Sequence, residues 1–142
     1  MAKFPRTSAG PRWFRTALAN APEHRTARVA GAEVRVRCWG REGLPGVVLV
    51  HGGAARSGWW DHIAPYLVGS HRVVALDLTG HGDSEWRTHY AMGLWAQEVI
   101  AAAEAGGAVV PPVVVGRKSP SRSFEVMNWS GQELRLDGDQ IA

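Results

Sequence analysis

The sequence predicts an α/β fold: a mainly parallel sheet with flanking helices. Three observations predict it. Short continuous apolar runs, Val47–Val50, Val73–Leu76 and Val113–Val115, fit strands buried on both faces of a parallel sheet. Segments of helical spacing separate them, and strands alternating with helices in this way imply parallel strands joined by right-handed crossovers. Each run ends in a glycine-bearing segment: His51-Gly52-Gly53, Thr79-Gly80-His81-Gly82-Asp83-Ser84, and Gly116. In open α/β sheets chemistry sits at such carboxyl ends.

The elements follow in order. Trp13–Asn20 has the spacing of a short helix, with Trp13, Ala17 and Leu18 on one face, and Pro22 ends it. Ala27–Ala30 and Glu33–Trp39 read as two strands joined at Gly31-Ala32. The second alternates: Val34, Val36 and Cys38 on one side, Glu33, Arg35 and Arg37 on the other, as expected of an antiparallel strand near a sheet edge. Gly43–Gly46, with Pro45, forms a turn before Val47–Val50. Ser57–Val68 reads as a helix through Trp59, Trp60, Ile63, Tyr66 and Leu67, with Pro65 in its second half. Arg72–Leu78 contains the next buried strand. Tyr90–Ala105 is the clearest helix, with Met92, Trp95, Ala96, Val99 and Ala103 on one stripe and Gly106-Gly107 as its stop.

Composition narrows the function classes. The 142 residues suggest one domain, and 45% hydrophobic with 20% charged residues is ordinary for a folded globular chain. The longest apolar runs fall far short of the roughly 20 residues of a membrane span, so no membrane partner is expected. The single cysteine, Cys38, excludes an internal disulfide framework and any multi-cysteine metal site, and a reducing, cytoplasmic compartment is the default. The net charge of +3 is uneven: residues 1–37 carry +6 and the remainder −3. That scattered basic lead lacks the organised face of a nucleic-acid reader. Its acid-free first 22 residues read either as a targeting segment or as a frayed tail followed by a surface helix.

Val47-Val48-Leu49-Val50-His51-Gly52-Gly53, then Trp59-Trp60-Asp61, then Arg72–Ser84 resemble, in order and spacing, the N-terminal half of an α/β-hydrolase, over about residues 12–116. Acyl transfer creates a tetrahedral oxyanion that needs fixed N–H donors. In this family one donor is a backbone N–H in the loop after the third strand. The resemblance therefore assigns His51, Gly52 and Gly53 to the oxyanion-hole loop, with the donor at or next to Gly53. The glycines would let that loop turn sharply at positive φ. Gly80, His81, Gly82, Asp83 and Ser84 correspond to a structural turn near the site. Ser84 is not the family's nucleophile, and Glu85 replaces the third glycine of a dinucleotide fingerprint. The histidines lack the helical pairing of a zinc site, and no metal or cofactor is expected.

The family's nucleophile sits on a Gly-x-Ser-x-Gly elbow after the fifth strand. Here Val113-Val114-Val115-Gly116 is followed by Arg117-Lys118-Ser119-Pro120, so Lys118 occupies the lost nucleophile position and Pro120 that of the second glycine. Family triads run Ser, Asp/Glu, His along the chain, yet the last histidine is His89. No complete triad is present. The resemblance thus implies a partial α/β-hydrolase fold, truncated after the fifth strand: a flexible tail over 1–11, a half-domain over 12–116, and an unrelated tail over 117–142 expected to be disordered. A frameshift just after Gly116 and a genuine new tail both account for the break.

Two functions stay open. One is a serine-hydrolase lineage acting on esters, amides or similar small molecules, inactive as this chain. The other is a non-catalytic module binding a small ligand or protein partner. A nucleotide-binding domain is disfavoured, since no Gly-Lys-Ser/Thr phosphate loop is present. Val113–Val115 left as an apolar open edge would invite self-association.

Overall fold

The computed structural model describes residues 10–117, 124–127 and 133–134. Its order is α1 (Arg12–Ala19), β1 (Glu23–Val29), β2 (Ala32–Trp39), β3 (Pro45–Val50), two short 3₁₀ turns, β4 (Arg72–Leu76), α2 (Met92–Ala105), β5 (Val109–Arg117), β6 (Phe124–Met127) and β7 (Glu133–Leu134). The strands form one seven-stranded sheet in the order β1-β2-β4-β3-β5-β6-β7. β4, β3 and β5 are parallel, and antiparallel strands flank them on both sides.

The alternation read in the sequence sets the two faces of this sheet. Val34, Val36, Cys38, Val48, Val74 and Leu76 pack on one side with Ala102 and Ala103 of α2. Trp39, Val47, Leu49, Val73 and Ala75 pack on the other with Trp60 and Ala64. Every residue of β4 is buried, as a strand covered on both faces requires. Burying such side chains stabilises by roughly 1.5–3 kcal/mol each.

Several expectations need correction. Ser57–Val68 is not one helix but two 3₁₀ pieces, Ser57–Trp60 and Ala64–Tyr66. Pro65 cannot donate an N–H to a continuing helix, and short tight turns place Trp60 and Ala64 in the core without one. The predicted stripe of α2 holds at Ala103, which is buried, and at Trp95 and Val99, which pack against the core, but not at its other two positions. Met92 and Ala96 are exposed, whereas Glu98, Ala102 and Ala103 are buried. Glu98, which lies outside that stripe, is buried with the carboxylate partners described below. β5 is not buried on both faces. Val114 packs with the α2 side and Val115 with the Trp60 side, but Val113 is 42% exposed.

The open edge expected at Val113–Val115 is also corrected. β6 pairs antiparallel with β5 through Val114–Met127, Val115–Val126, Gly116–Glu125 and Arg117–Phe124, and β7 pairs with β6. A disordered tail throughout 117–142 is therefore corrected at Phe124–Met127 and Glu133–Leu134, where backbone pairing builds strands from residues of some apolar content. Lys118 lies outside the described residues. Of the flexible tail expected over residues 1–11, residues 1–9 also lie outside the described residues.

A buried arginine ties the amino-terminal side of the sheet together. Arg72 donates from Nε to the carbonyl of Gly106 at 2.7 Å and from Nη1 to the carbonyl of Gly40 at 2.6 Å. Its other end meets the Glu23 carboxylate at 3.2 Å. These bonds satisfy a carbonyl at the end of α2 that the helix leaves open.

Candidate functional site

The carboxyl ends of β3 and β4 carry the two glycine-bearing segments into one place. Strand register sets this: Val50 pairs with Leu76 on one side and with Gly116 on the other. The loop beginning at His51 is therefore flanked by the Asp77–Ser84 segment and by the end of β5.

His51 is buried, with both ring nitrogens on backbone groups. Nδ1 lies 2.8 Å from the carbonyl oxygen of Gly52, and Nε2 accepts the N–H of Leu78 at 3.1 Å. Its ring centroid is 4.8 Å from that of His81. Burial pushes the His51 pKa below its ordinary value of 6.5, although the Gly52 carbonyl works in the opposite direction. The loop then turns through an Ala55 N–H to Gly52 carbonyl bond of 3.2 Å. Positive φ in this loop falls at Ala54, at +57°, and at neither Gly52 nor Gly53, which corrects the expected role of the glycines. A side chain at Gly53 would meet nothing within 4 Å, so open space surrounds it.

The opposite wall is organised by Asp77, a residue to which the sequence reading gave no role. Its Oδ1 accepts the N–H of Ser57 at 2.6 Å and its Oδ2 accepts the N–H of Asp83 at 2.9 Å. Burial would raise its pKa, but the backbone donors of Asp83 and Ser57, the Ser57 side chain and the Arg56 charge outweigh it and hold the carboxyl below its ordinary value. Gly82 sits at φ +51° with the Asp77 carboxylate packed where a Cβ would stand. Only glycine fits there. The Ser84 hydroxyl donates to the carbonyl of Asp77 at 2.5 Å and accepts the N–H of Arg35 at 2.8 Å. Gly80 receives its own constraint, its N–H donating to the Glu85 carbonyl at 3.0 Å.

Beneath this turn lies a second network absent from the sequence reading. Glu98 of α2, with no exposed surface, accepts the Thr79 N–H at 2.9 Å and the Thr79 hydroxyl at 2.5 Å. It also pairs with Arg87 Nη2 at 3.0 Å, and Arg87 reaches on to the Val29 carbonyl at 2.7 Å. The signal was available: a carboxylate on the apolar side of a helix must find partners or remain unburied. Among the described residues no group of three or more His, Cys, Asp or Glu side chains is arranged to hold a metal ion.

Two cavities lie nearby. One of about 400 Å³ is lined by His24, Arg35, Arg37, Ser57, Asp77 and Asp83, and one of about 550 Å³ lies along the β1–β2 turn beside Trp86 and Arg87. Neither is lined by Gly52 or Gly53. In the first, Arg37 pairs with Asp61 at 2.5 Å, so its charge is already matched.

A mixed sheet whose central strands β4, β3 and β5 are parallel, with glycine-bearing loops gathered at their carboxyl ends, defines an α/β protein. The profile of the alpha/beta hydrolase fold family matches residues 45–116, half of the chain, and the chain belongs to that family. It is 33% identical over 61 residues to a probable serine hydrolase of Drosophila melanogaster, covering 43% of this chain and 18% of that protein. It is 37% identical over 59 residues to a pimeloyl-[acyl-carrier protein] methyl ester esterase of Methylococcus capsulatus, covering 42% of this chain and 21% of that one. Among solved structures, a membrane phospholipase A described as a bacterial virulence factor superposes with a TM-score of 0.63 at 32% identity, over 73% of this chain and 34% of that chain. The chain thus spans about a fifth of the length of these curated relatives. Among the described residues no helix is long and apolar enough to cross a membrane.

Proposed function

We propose that this chain is of serine-hydrolase lineage, acting in its ancestry on esters, amides or similar small molecules, and that it turns over no ester by itself. The observation that carries this is the course of β5. The strand runs on through Gly116 into Arg117, which pairs with Phe124. A nucleophile elbow requires the chain to leave the strand at that glycine and turn sharply into a helix. The residues agree: Lys118 and Pro120 stand where the family elbow has its serine and second glycine. The His51-Gly52-Gly53 loop is the part of the machinery this reading keeps. The N–H groups of Gly53 and Ala54 find no acceptor among the described residues, which suits an oxyanion donor. Gly80–Ser84 serves as the structural turn that backs this loop. The reduced, lone Cys38 suits a cytoplasmic setting.

The test is hydrolysis of p-nitrophenyl acetate and butyrate by the full chain and by Gly53→Pro, which lacks the loop N–H. Equal, background rates are expected. Turnover by the unmodified chain well above the variant overturns the proposal.

A second reading accounts for the same break. The family match stops at residue 116, where an interrupted reading frame would end it. Reading the coding DNA through codon 116 in all three frames decides: another frame that resumes a Ser-x-Gly elbow makes the remaining residues a by-product. If none resumes, saturable binding of a small ester or carboxylate would mark a non-catalytic binding module.

A further inference from the structure

We infer that His51 is the positioning residue of the loop after β3: as a neutral imidazole carrying its hydrogen on Nδ1, it clips that loop to the end of β4. The functional meaning of the clip rests on the oxyanion-loop reading above; the clip itself does not.

The two ring nitrogens face backbone groups of opposite kind. The Gly52 carbonyl, 2.8 Å from Nδ1, can only accept, so Nδ1 carries the hydrogen. The Leu78 N–H, 3.1 Å from Nε2, can only donate, so Nε2 presents its lone pair. One tautomer of the neutral ring satisfies both. With the residue only 4% exposed, water is poorly placed to replace either partner. The ring therefore joins the peptide that begins the Gly52–Ala55 turn to a peptide 27 residues further along the chain. Space filling alone would place no such demand on the tautomer.

Protonation would break the clip. A hydrogen on Nε2 would face the Leu78 N–H, donor against donor. The ionisable groups acting on the ring are His81, at a centroid distance of 4.8 Å, and Asp77. A charged His81 would repel an imidazolium. The Asp77 carboxylate favours one, but its oxygens are already held by the N–H groups of Ser57 and Asp83. Burial decides for the neutral form, which agrees with the lowered pKa of His51.

The experiment is a long-range ¹H–¹⁵N correlation on the ¹⁵N-labelled full chain between about pH 7.5 and 5, spanning the ordinary histidine range. The His51 signals are assigned by their loss in His51→Gln. The expected result is the Nδ1–H pattern, with His51 still neutral below the ordinary histidine value of 6.5. Leu78 amide exchange supplies the second readout. Glutamine offers a carbonyl oxygen near the place of Nε2, so His51→Gln should keep Leu78 protection within about threefold, whereas His51→Leu should lose at least about fivefold. The Gly53 and Ala54 amide shifts should move in His51→Leu and stay in His51→Gln. An Nε2–H pattern, protonation of His51 at or above the ordinary value of 6.5, or full Leu78 protection in His51→Leu overturns the inference. The tautomer is read on the unmodified chain, so a variant that fails to fold leaves the test intact. No step requires turnover, so an ester hydrolysis result that sank the preceding proposal would leave this one standing.

Discussion

The Glu98 carboxylate accepts the backbone N–H of Thr79 at 2.9 Å, so a fully buried charge on α2 holds the turn that follows β4. Arg87 neutralises that charge from the other side at 3.0 Å, with its own side chain only 8% exposed. Removing one member of a buried pair strands the other. Glu98→Ala should cost about 3–5 kcal/mol, enough to unfold much of a marginal domain. Glu98→Gln keeps an acceptor for Thr79 and should cost less. Urea midpoints at unchanged slope check the order.

Gly82 and Gly31 make a controlled pair. Both have positive φ, +51° and +81°, but an added Cβ meets the Asp77 carboxylate at Gly82 and nothing within 4 Å at Gly31. Gly31→Ala should cost only the left-handed backbone penalty, about 1–2 kcal/mol. Gly82→Ala should cost clearly more, because it displaces a carboxylate that accepts two backbone N–H groups. Equal losses in thermal unfolding would show that Asp77 yields without consequence.

Two groups make the fold sensitive to acid in the same direction. The His51 pKa is lowered from 6.5 by burial, so below that value the unfolded chain binds a proton that the folded chain resists. Its contribution is complete above about pH 6.5 and is lost as the pH falls from there toward the folded value. The Asp77 pKa is lowered from 3.8, so its contribution is complete above that value and disappears as the pH falls through the folded one. Stability should therefore fall in two stages on acidification. In His51→Gln the first stage should shrink, which urea titrations at a series of pH values would record.

Cys38 lies in the sheet core at 1% exposure, and burial pushes its thiol pKa above 9.0. The thiolate is the reactive form. The folded protein should react with a disulfide reagent at neutral pH at least about a hundredfold more slowly than the urea-unfolded chain, consistent with a protected core site. A rapid reaction of the folded protein would show that β2 opens locally.

The parallel core was legible because a strand buried on both faces has few sequences open to it. Val47–Val50 and Val73–Leu76 are continuous apolar runs, and they form the adjacent parallel pair β3 and β4. The β1–β2 hairpin was legible from the alternation of Val34, Val36 and Cys38, although β1 begins at Glu23, earlier than its apolar residues suggested. The Ser57–Val68 segment misled because apolar residues at helical spacing also suit two 3₁₀ turns, and the choice between them was made by Pro65 and by the space over Val73 and Ala75. That the glycine-bearing strand ends lie side by side was legible from the parallel pattern; the hydrogen bonds that hold them were not. Asp77, Arg87 and Glu98 are ordinary charged residues in the sequence, and their roles depend on partners 6 to 58 residues away.

By itself the sequence determined the α/β class, the strands of the parallel core, and the residues Lys118 and Pro120 that follow Gly116 where a family elbow has its serine and second glycine. Local residue type and spacing carry that information. Tertiary structure alone decided that β6 closes the side of β5, that α2 turns Glu98 inward, and that His51 faces Leu78 across two strand ends. The reason is physical. A buried hydrogen-bonding group is satisfied by whatever backbone the fold brings opposite it, and that neighbour is fixed by strand register rather than by proximity along the chain.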